Sequence, residues 1–337
     1  MKKSLIQILK YLFFVSLGLL LLYFAFRNID FKSVREGLLG ANYSWVLLSL
    51  IFSIFAFISR ARRWILLINP LGYNPSLKNS FLAMMTGYLA NIAFPRLGEV
   101  TKCVALGKKE KIPVDQLVGT VIVERTIDFL SLLVIMTIML FISSNTIGTF
   151  LKNNIIVPTQ EKITSMFGFT YIFWLVILIF LSLLVSTFIK FRKKIASVKL
   201  VTKILHFSKG IVEGIKSVIK LERKKEFLFH TLFIWSNYIL MTWVVLFSVA
   251  STSGLNFTDA VFLLVIGSLA MSAPVQSGIG AFHWIISRGL NIVYGIKLED
   301  GLVYAIISHE TQLILVTIIG AISFAILFNK HKKSQEL

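Results

Sequence analysis

The fold class that this chain predicts is an all-α polytopic membrane protein. It should have about six full transmembrane helices plus two re-entrant broken helical hairpins in an inverted repeat, giving six to eight spans by hydropathy. Three observations lead there. Of 337 residues 56% are apolar and mean hydropathy is +0.80, with one apolar run after another near bilayer length. Two runs fall short of that length and break at Pro then Gly, at Pro95 and Gly98 and at Pro274, Gly278 and Gly280. Paired interruptions of this kind point to a transporter's binding site. The net charge of +19 sits in the segments between apolar runs, so it reads as membrane topology and not as a nucleic-acid surface.

Full spans are expected at 8–26, 45–59, 117–142, 169–189, 227–250 and 302–328. The first has Lys2, Lys3 and Lys10 at its start, and no small-residue cleavage site follows it, so it is read as uncleaved. The second is expected to stop at Arg60, Arg62 and Arg63, with Trp64 at the interface. The run 81–94 would reach only about 21 Å as a helix, against about 30 Å of hydrocarbon. Its continuation carries Arg96, Glu99, Lys102, Lys108, Lys109, Glu110 and Lys111, so it should turn at Pro95–Gly98 and leave on the side it entered. The run 260–273 breaks in the same manner. Between the halves, 190–225 holds twelve Lys and Arg, with apolar residues three or four apart. That pattern predicts a basic amphipathic cytoplasmic segment at 190–226 lying on anionic lipid.

Charge decides orientation. With both hairpins returning to their own side, 27 Lys and Arg face the cytoplasm and 7 face outward, leaving Arg125 in the membrane. Both termini are then cytoplasmic, in a multi-pass protein of the cytoplasmic (plasma or inner) membrane. The chain is one integral membrane domain, 1–337, with repeat-like halves at 8–142 and 169–328. A short echo supports the repeat: Glu124-Arg125-Thr126 follows the first hairpin and His309-Glu310-Thr311 the second. The sole cysteine, Cys103, excludes an intramolecular disulfide.

Glu124 and Asp128 lie four apart on one helix face, with Arg125 about 100° away. A charge within a span costs roughly 2.5–3.5 kcal/mol on insertion scales and therefore turns to a cavity or a partner. Arg125 or Arg96 is expected to pair with Glu99, Glu124 or Asp128 around the first break. His309, Glu310 and Gln312 should face the second. Asn91 is a further polar candidate at the first tip, and Gln276 and Ser277 supply donors at the other. Gly98, Gly278 and Gly280 permit positive φ or close backbone approach. The helix restarting after each break would aim its positive end at an anion. The five histidines are dispersed, so no metal site is expected, and no nucleotide loop, cofactor motif or catalytic constellation stands out.

These residues carry a resemblance. Asn91-Ile-Ala-Phe-Pro-Arg-Leu-Gly-Glu99, Val121-Ile-Val-Glu-Arg-Thr-Ile-Asp128 and Pro274-Val-Gln-Ser-Gly-Ile-Gly-Ala-Phe282 resemble the lysylphosphatidylglycerol synthase transmembrane family, the flippase-like or UPF0104-type membrane proteins. The match covers about residues 8–328. Relatives usually carry a Glu where this chain has His283, which makes His283 a site candidate here. The resemblance implies a region that moves an aminoacylated phospholipid to the outer leaflet. It also implies a stand-alone member, without the aminoacyltransferase domain of bifunctional relatives and hence without enzyme activity.

The leading expectation is thus a flippase or translocase for a phospholipid or lipid-linked headgroup, with membrane lipid as its partner. A secondary transporter of a small organic anion, with a coupling proton on Glu99 or Glu310, is the alternative. A membrane-embedded lipid or glycosyl transferase comes third. No feature of the chain points to an oligomeric state.

Overall fold

A computed structural model describes residues 16–27, 29–94, 97–142, 221–273 and 275–329. Among them are ten α-helices and no strand. In chain order these are α1 (Ser16–Phe26), α2 (Phe31–Leu39), α3 (Tyr43–Ile68), α4 (Leu77–Ala93), α5 (Leu97–Glu110), α6 (Val114–Ile142), α7 (Lys224–Leu246), α8 (Phe257–Met271), α9 (Ala281–Tyr294) and α10 (Leu298–Asn329). The expected span 169–189, the loop 143–168, residues 190–220 of the basic segment, and both termini lie outside the described residues.

The helix starts follow local capping chemistry. Asn42 accepts from Ser44 N–H at the start of α3, and the Ser76 hydroxyl accepts from Asn79 N–H at the start of α4. Asn256 and Asp259 form a reciprocal capping box on α8. Helices α3, α7 and α10 are long and apolar enough to cross a membrane by length and composition. Helix α6, at 29 residues, reaches about 43 Å. By contrast α4, α5, α8 and α9 have 17, 14, 15 and 14 residues. Each reaches only about 21–26 Å, less than a hydrocarbon core of about 30 Å.

The short helices form two hairpins. In the first, α4 and α5 pack so closely at Gly87 and Gly98 that a Cβ on Gly87 would stand 2.6 Å from the Gly98 carbonyl oxygen. Glu110, at the far end of α5, returns to the start of α4, accepting from Asn79 Nδ2 at 2.6 Å and from Ser76 N–H at 3.1 Å. In the second, α9 returns along α8 and ends at Tyr294, which packs near the start of α8. Its ring also meets Phe262 edge-on.

A central pair sets how the hairpins are placed. Helices α3 and α7 run antiparallel: the Trp45 ring meets Phe247 at a tilt, Ser49 Oγ donates to the Met241 carbonyl, Ser59 meets His230, and Arg62 meets Glu226. Each helix leads directly into a hairpin, so the open ends of the two hairpins lie at opposite ends of this pair. The tips meet between them, where the 3₁₀ turn Gln276–Gly278 packs on α4. The cross-contacts are reciprocal, α4 against α10 and α8 against α6. The units α3–α6 and α7–α10 are thus related as an inverted repeat.

Polar and apolar groups are distributed inside out. Ser49, Ser53, Ser59, Arg60, Arg63, Lys102 and Glu124 are buried, while Leu47, Ile51, Phe55 and Ile58 form an exposed stripe on α3. Ile314, Ile318 and Ile322 do the same on α10. In water such stripes would be a liability; in lipid they are the expected outer face. Small residues allow the close helix contacts typical of membrane interiors. A Cβ on Gly320 of α10 would lie 2.9 Å from the Met85 carbonyl oxygen of α4.

Two expectations are corrected here. Arg60 and Arg63 do not stop the second span at an interface, since α3 continues through them to Ile68 with both side chains buried. Trp64 is fully buried as well, donating Nε1–H to Thr120 Oγ1 of α6 at 2.9 Å. Helix α2, which the apolar periodicity did not mark, is capped by Asp30 and packs on α10, with Gly37 against Val303.

Candidate functional site

At the first hairpin the expected charged residues come together, with partners the sequence did not suggest. Helix α6 presents Glu124 and Asp128 on one face as expected, and α3 answers them with arginines. Arg60 Nη2 lies 2.6 Å from Glu124 Oε1 and 2.8 Å from Asp128 Oδ2, and Arg63 Nη2 lies 2.5 Å from Asp128 Oδ1. From α5, Lys102 Nζ reaches Glu124 Oε2 at 2.7 Å, with its ammonium 4.5 Å from the Trp64 ring centroid. Tyr238 of α7 accepts from Arg60 Nη1 at 2.9 Å. Arg125 stands apart. Its side chain is 43% exposed, and its contacts to Glu124, Glu99 and Asp128 are long, at 3.6, 3.8 and 4.0 Å.

Among the described residues, four cations (Arg60, Arg63, Lys102 and Arg125) thus meet three carboxylates (Glu99, Glu124 and Asp128). One positive charge is left over, and the geometry leaves it on Arg125, the cation without a close partner within this cluster. A guanidinium held loosely at a cavity wall is suited to a phosphate or carboxylate, which it can grip with two parallel N–H bonds.

The tips are built differently from each other. Asn91 is no free ligand: its Oδ1 accepts from Gly98 N–H at 2.6 Å, clamping the end of α4 to the start of α5. Gly98 keeps helical φ and serves by close approach, whereas Gly278 and Gly280 adopt φ of +74° and +82°. Gly280 sits where a Cβ would meet the Gly18 carbonyl of α1 at 2.7 Å. The start of α5 is therefore occupied by Asn91, and the start of α9 rests on α1. Those contacts take up room at both helix starts, and Arg125 is the cluster cation left with only long ionic contacts. Gln276 is half-buried, with Nε2 unpaired by protein. Pro95, Arg96 and Pro274 lie outside the described residues.

Across from the first tip, α10 brings its expected polar set to the second. His309 Nε2 lies 2.8 Å from the Ser277 carbonyl oxygen, and His309 Nδ1 lies 3.0 Å from Glu310 Oε1. His283 Nε2 lies 3.4 Å from that same oxygen. Gln312 accepts from Ser53 Oγ of α3 at 2.7 Å.

One cavity of about 720 Å3 joins the two regions. Arg60, Asn91, Glu99, Arg125 and Asp128 line it from the first unit, and Ser277, Gly278, His309 and Gln312 from the second. Trp235 and Tyr238 of α7 line it too. Glu99 Oε2 and Trp235 Nε1 are buried there without a protein hydrogen-bond partner. This volume is in the range that takes a headgroup-sized ligand. Arg60, Tyr88, Trp235 and Tyr238 were not singled out by the sequence as cavity residues. For Arg60 a signal existed: Ser49, Ser53, Ala56, Arg60 and Arg63 follow helical spacing on α3, so the arginines continue a face of small polar residues while Arg62 points elsewhere.

The model of the lysylphosphatidylglycerol synthase transmembrane region matches residues 7–320. The chain belongs to that family. It is also similar to the UPF0104 membrane protein of Methanocaldococcus jannaschii, at 24% identity over 99% of this chain and 97% of that protein. No solved structure matches it. Membership in the lysylphosphatidylglycerol synthase transmembrane region family places the chain in a membrane. It also supports a lipid-related role for the chain in the broad sense of the family.

Proposed function

We propose that this protein is a flippase or translocase that moves a phospholipid or lipid-linked headgroup between the leaflets of the cytoplasmic membrane, with both termini cytoplasmic. The observation that carries the reading is the cavity lined by Arg125, a cation with only long ionic contacts, set between hairpin tips that approach from opposite ends of the molecule. In the membrane the hairpins are re-entrant, one from each face, so either leaflet has a short path to the same site. Arg125 holds the headgroup phosphate. Glu99, which keeps one carboxylate oxygen free of protein partners, receives an amine where the headgroup carries one. The acyl chains stay in lipid along the apolar outer stripes, and the basic 190–226 segment gathers anionic lipid nearby. The protein moves its lipid without modifying it, and it needs no cofactor.

The test is reconstitution into liposomes that contain fluorescent headgroup-labelled lipids, scored by dithionite quenching. Labelled lipid should reach the quencher faster than in empty liposomes for at least one anionic or zwitterionic class. Uptake of a soluble organic anion, with no lipid class moving, would replace this reading with secondary solute transport through the same cavity.

A further inference from the structure

Two of the five histidines, on different helices, converge with a carboxylate behind the second tip. His283 in the first turn of α9 is 2% exposed and His309 in α10 is 7% exposed. Their ring centroids lie 5.0 Å apart. Both offer a nitrogen to Glu310 Oε1, His283 Nε2 at 3.4 Å and His309 Nδ1 at 3.0 Å. One ligand atom from each of the three residues lies within 4.8 Å of the other two.

The tautomer of His309 is set from outside this cluster. Its Nε2 lies 2.8 Å from the carbonyl oxygen of Ser277, which can only accept, so Nε2 carries the hydrogen. Ser277 is held at φ +47°, an uncommon conformation for a residue with a side chain, which aims that carbonyl at the ring. In the neutral ring Nδ1 is then a lone pair turned toward a carboxylate oxygen 3.0 Å away. Two electron-rich atoms at that separation repel unless positive charge lies between them. A histidine whose far nitrogen is fixed by a backbone carbonyl is the usual outer-shell arrangement behind a metal ligand.

The donor set and spacing agree with this. Two imidazoles and a carboxylate are a common zinc set, and ligand atoms about 2.0–2.1 Å from a tetrahedral zinc stand about 3.4 Å from one another. The two separations from Glu310 Oε1 are 3.4 and 3.0 Å. We propose that His283, His309 and Glu310 bind a divalent transition-metal ion of the zinc class, which pins the second hairpin to α10. The dispersal of the histidines in sequence had argued against a metal; folding brings two of them onto one carboxylate. The proposal goes beyond lipid movement, and its test reads metal binding alone, so either idea can fail without the other.

The full chain, purified in detergent with an affinity tag that contains no histidine, is stripped with chelator, equilibrated with zinc alone, desalted, and assayed for metal. The expected result is one zinc retained per chain, with affinity reduced about tenfold or more in His283→Gln, His309→Gln and Glu310→Gln. His206→Gln and His331→Gln should retain zinc like the unmodified chain. Cobalt loading of the unmodified chain is a second readout that needs no substitution. It should give the intense visible bands of four- or five-coordinate cobalt. Zinc retention no higher than in the His283→Gln/His309→Gln double variant would overturn the proposal. So would a cobalt spectrum that is only that of the hydrated ion.

Discussion

Arg125 and Asp128 are three residues apart on one helix, yet their burial assigns them different work. Asp128 is locked between Arg60 and Arg63. Removing its charge leaves the buried Arg63 guanidinium without its carboxylate, while Arg60 keeps Glu124, so Asp128→Asn should destabilise the protein by about 3–5 kcal/mol. A lower midpoint in detergent thermal unfolding would register this. Arg125 has only long contacts and is 43% exposed, so Arg125→Ala should leave that midpoint within about 0.5 kcal/mol of its original stability. Lipid movement in proteoliposomes should fall at least tenfold all the same, the loss expected for about 1.4 kcal/mol or more of headgroup binding. Arg125→Lys should not restore it fully, because an ammonium cannot form the two-pronged grip. Equal loss of stability in the Asp128 and Arg125 variants would make Arg125 one more structural ion.

At this scale the sequence was legible in part. Glu124, Arg125, Asp128, His309 and Glu310 were marked because charges inside apolar runs are costly. Arg125 meets the acids expected of it, Glu99, Glu124 and Asp128, at long distance, but the closer partners Arg60, Arg63 and Lys102 were not marked. Arg60 and Arg63 sit after an apolar run and looked like a cytoplasmic stop, since only the packing of α6 and α7 against α3 brings acids and Tyr238 to them. Asn91 looked like a ligand because a polar residue beside a break has two uses, and the fold gives it the local one, the amide of Gly98.

For the elements, the hairpins were readable because their cause is local: runs too short to span, ended by Pro and Gly. The pairing of each hairpin's limbs depends on space that glycine leaves open. A Cβ on Gly98 would collide with the Gly87 carbonyl and the Asn91 side chain, and one on Gly278 would collide with Met271 Sδ while also straining φ +74°. Gly98→Ala and Gly278→Ala should each cost about 1–3 kcal/mol. At Gly119 on α6 nothing stands within 4 Å of a built Cβ, so Gly119→Ala should be neutral or stabilising by up to about 1 kcal/mol. Denaturation of the three variants in one detergent checks the order. A Gly98→Ala protein as stable as Gly119→Ala would mean that α4 and α5 do not pack at this distance.

The whole molecule is organised by the antiparallel α3–α7 pair, which sends one hairpin in from each end. The echo of Glu124-Arg125-Thr126 in His309-Glu310-Thr311 reflects this, since both triplets occupy the long helix that follows a hairpin and both help form one cavity's surroundings. Which faces of the units would meet was not legible, because α4 on α10 and α8 on α6 are contacts between distant segments. The proposed orientation rests on charge: with Cys103 replaced by Ser, single cysteines placed near positions 200 and 333 should label from the cytoplasmic side only, and labelling from outside would invert or break the arrangement.

The central claim is that the headgroup passes through the cavity between the tips. Ser308 lines it, and its hydroxyl bonds only within α10, to the Ala305 carbonyl, so Ser308→Cys is a small change at the cavity wall. With Cys103→Ser as background, this cysteine can be modified in proteoliposomes with thiosulfonates of increasing bulk, and lipid movement followed before and after reduction. A bulky adduct should stop movement, a methyl adduct should leave most of it, and reduction should restore it. Unchanged movement with Ser308→Cys fully modified by the bulky reagent would contradict the account.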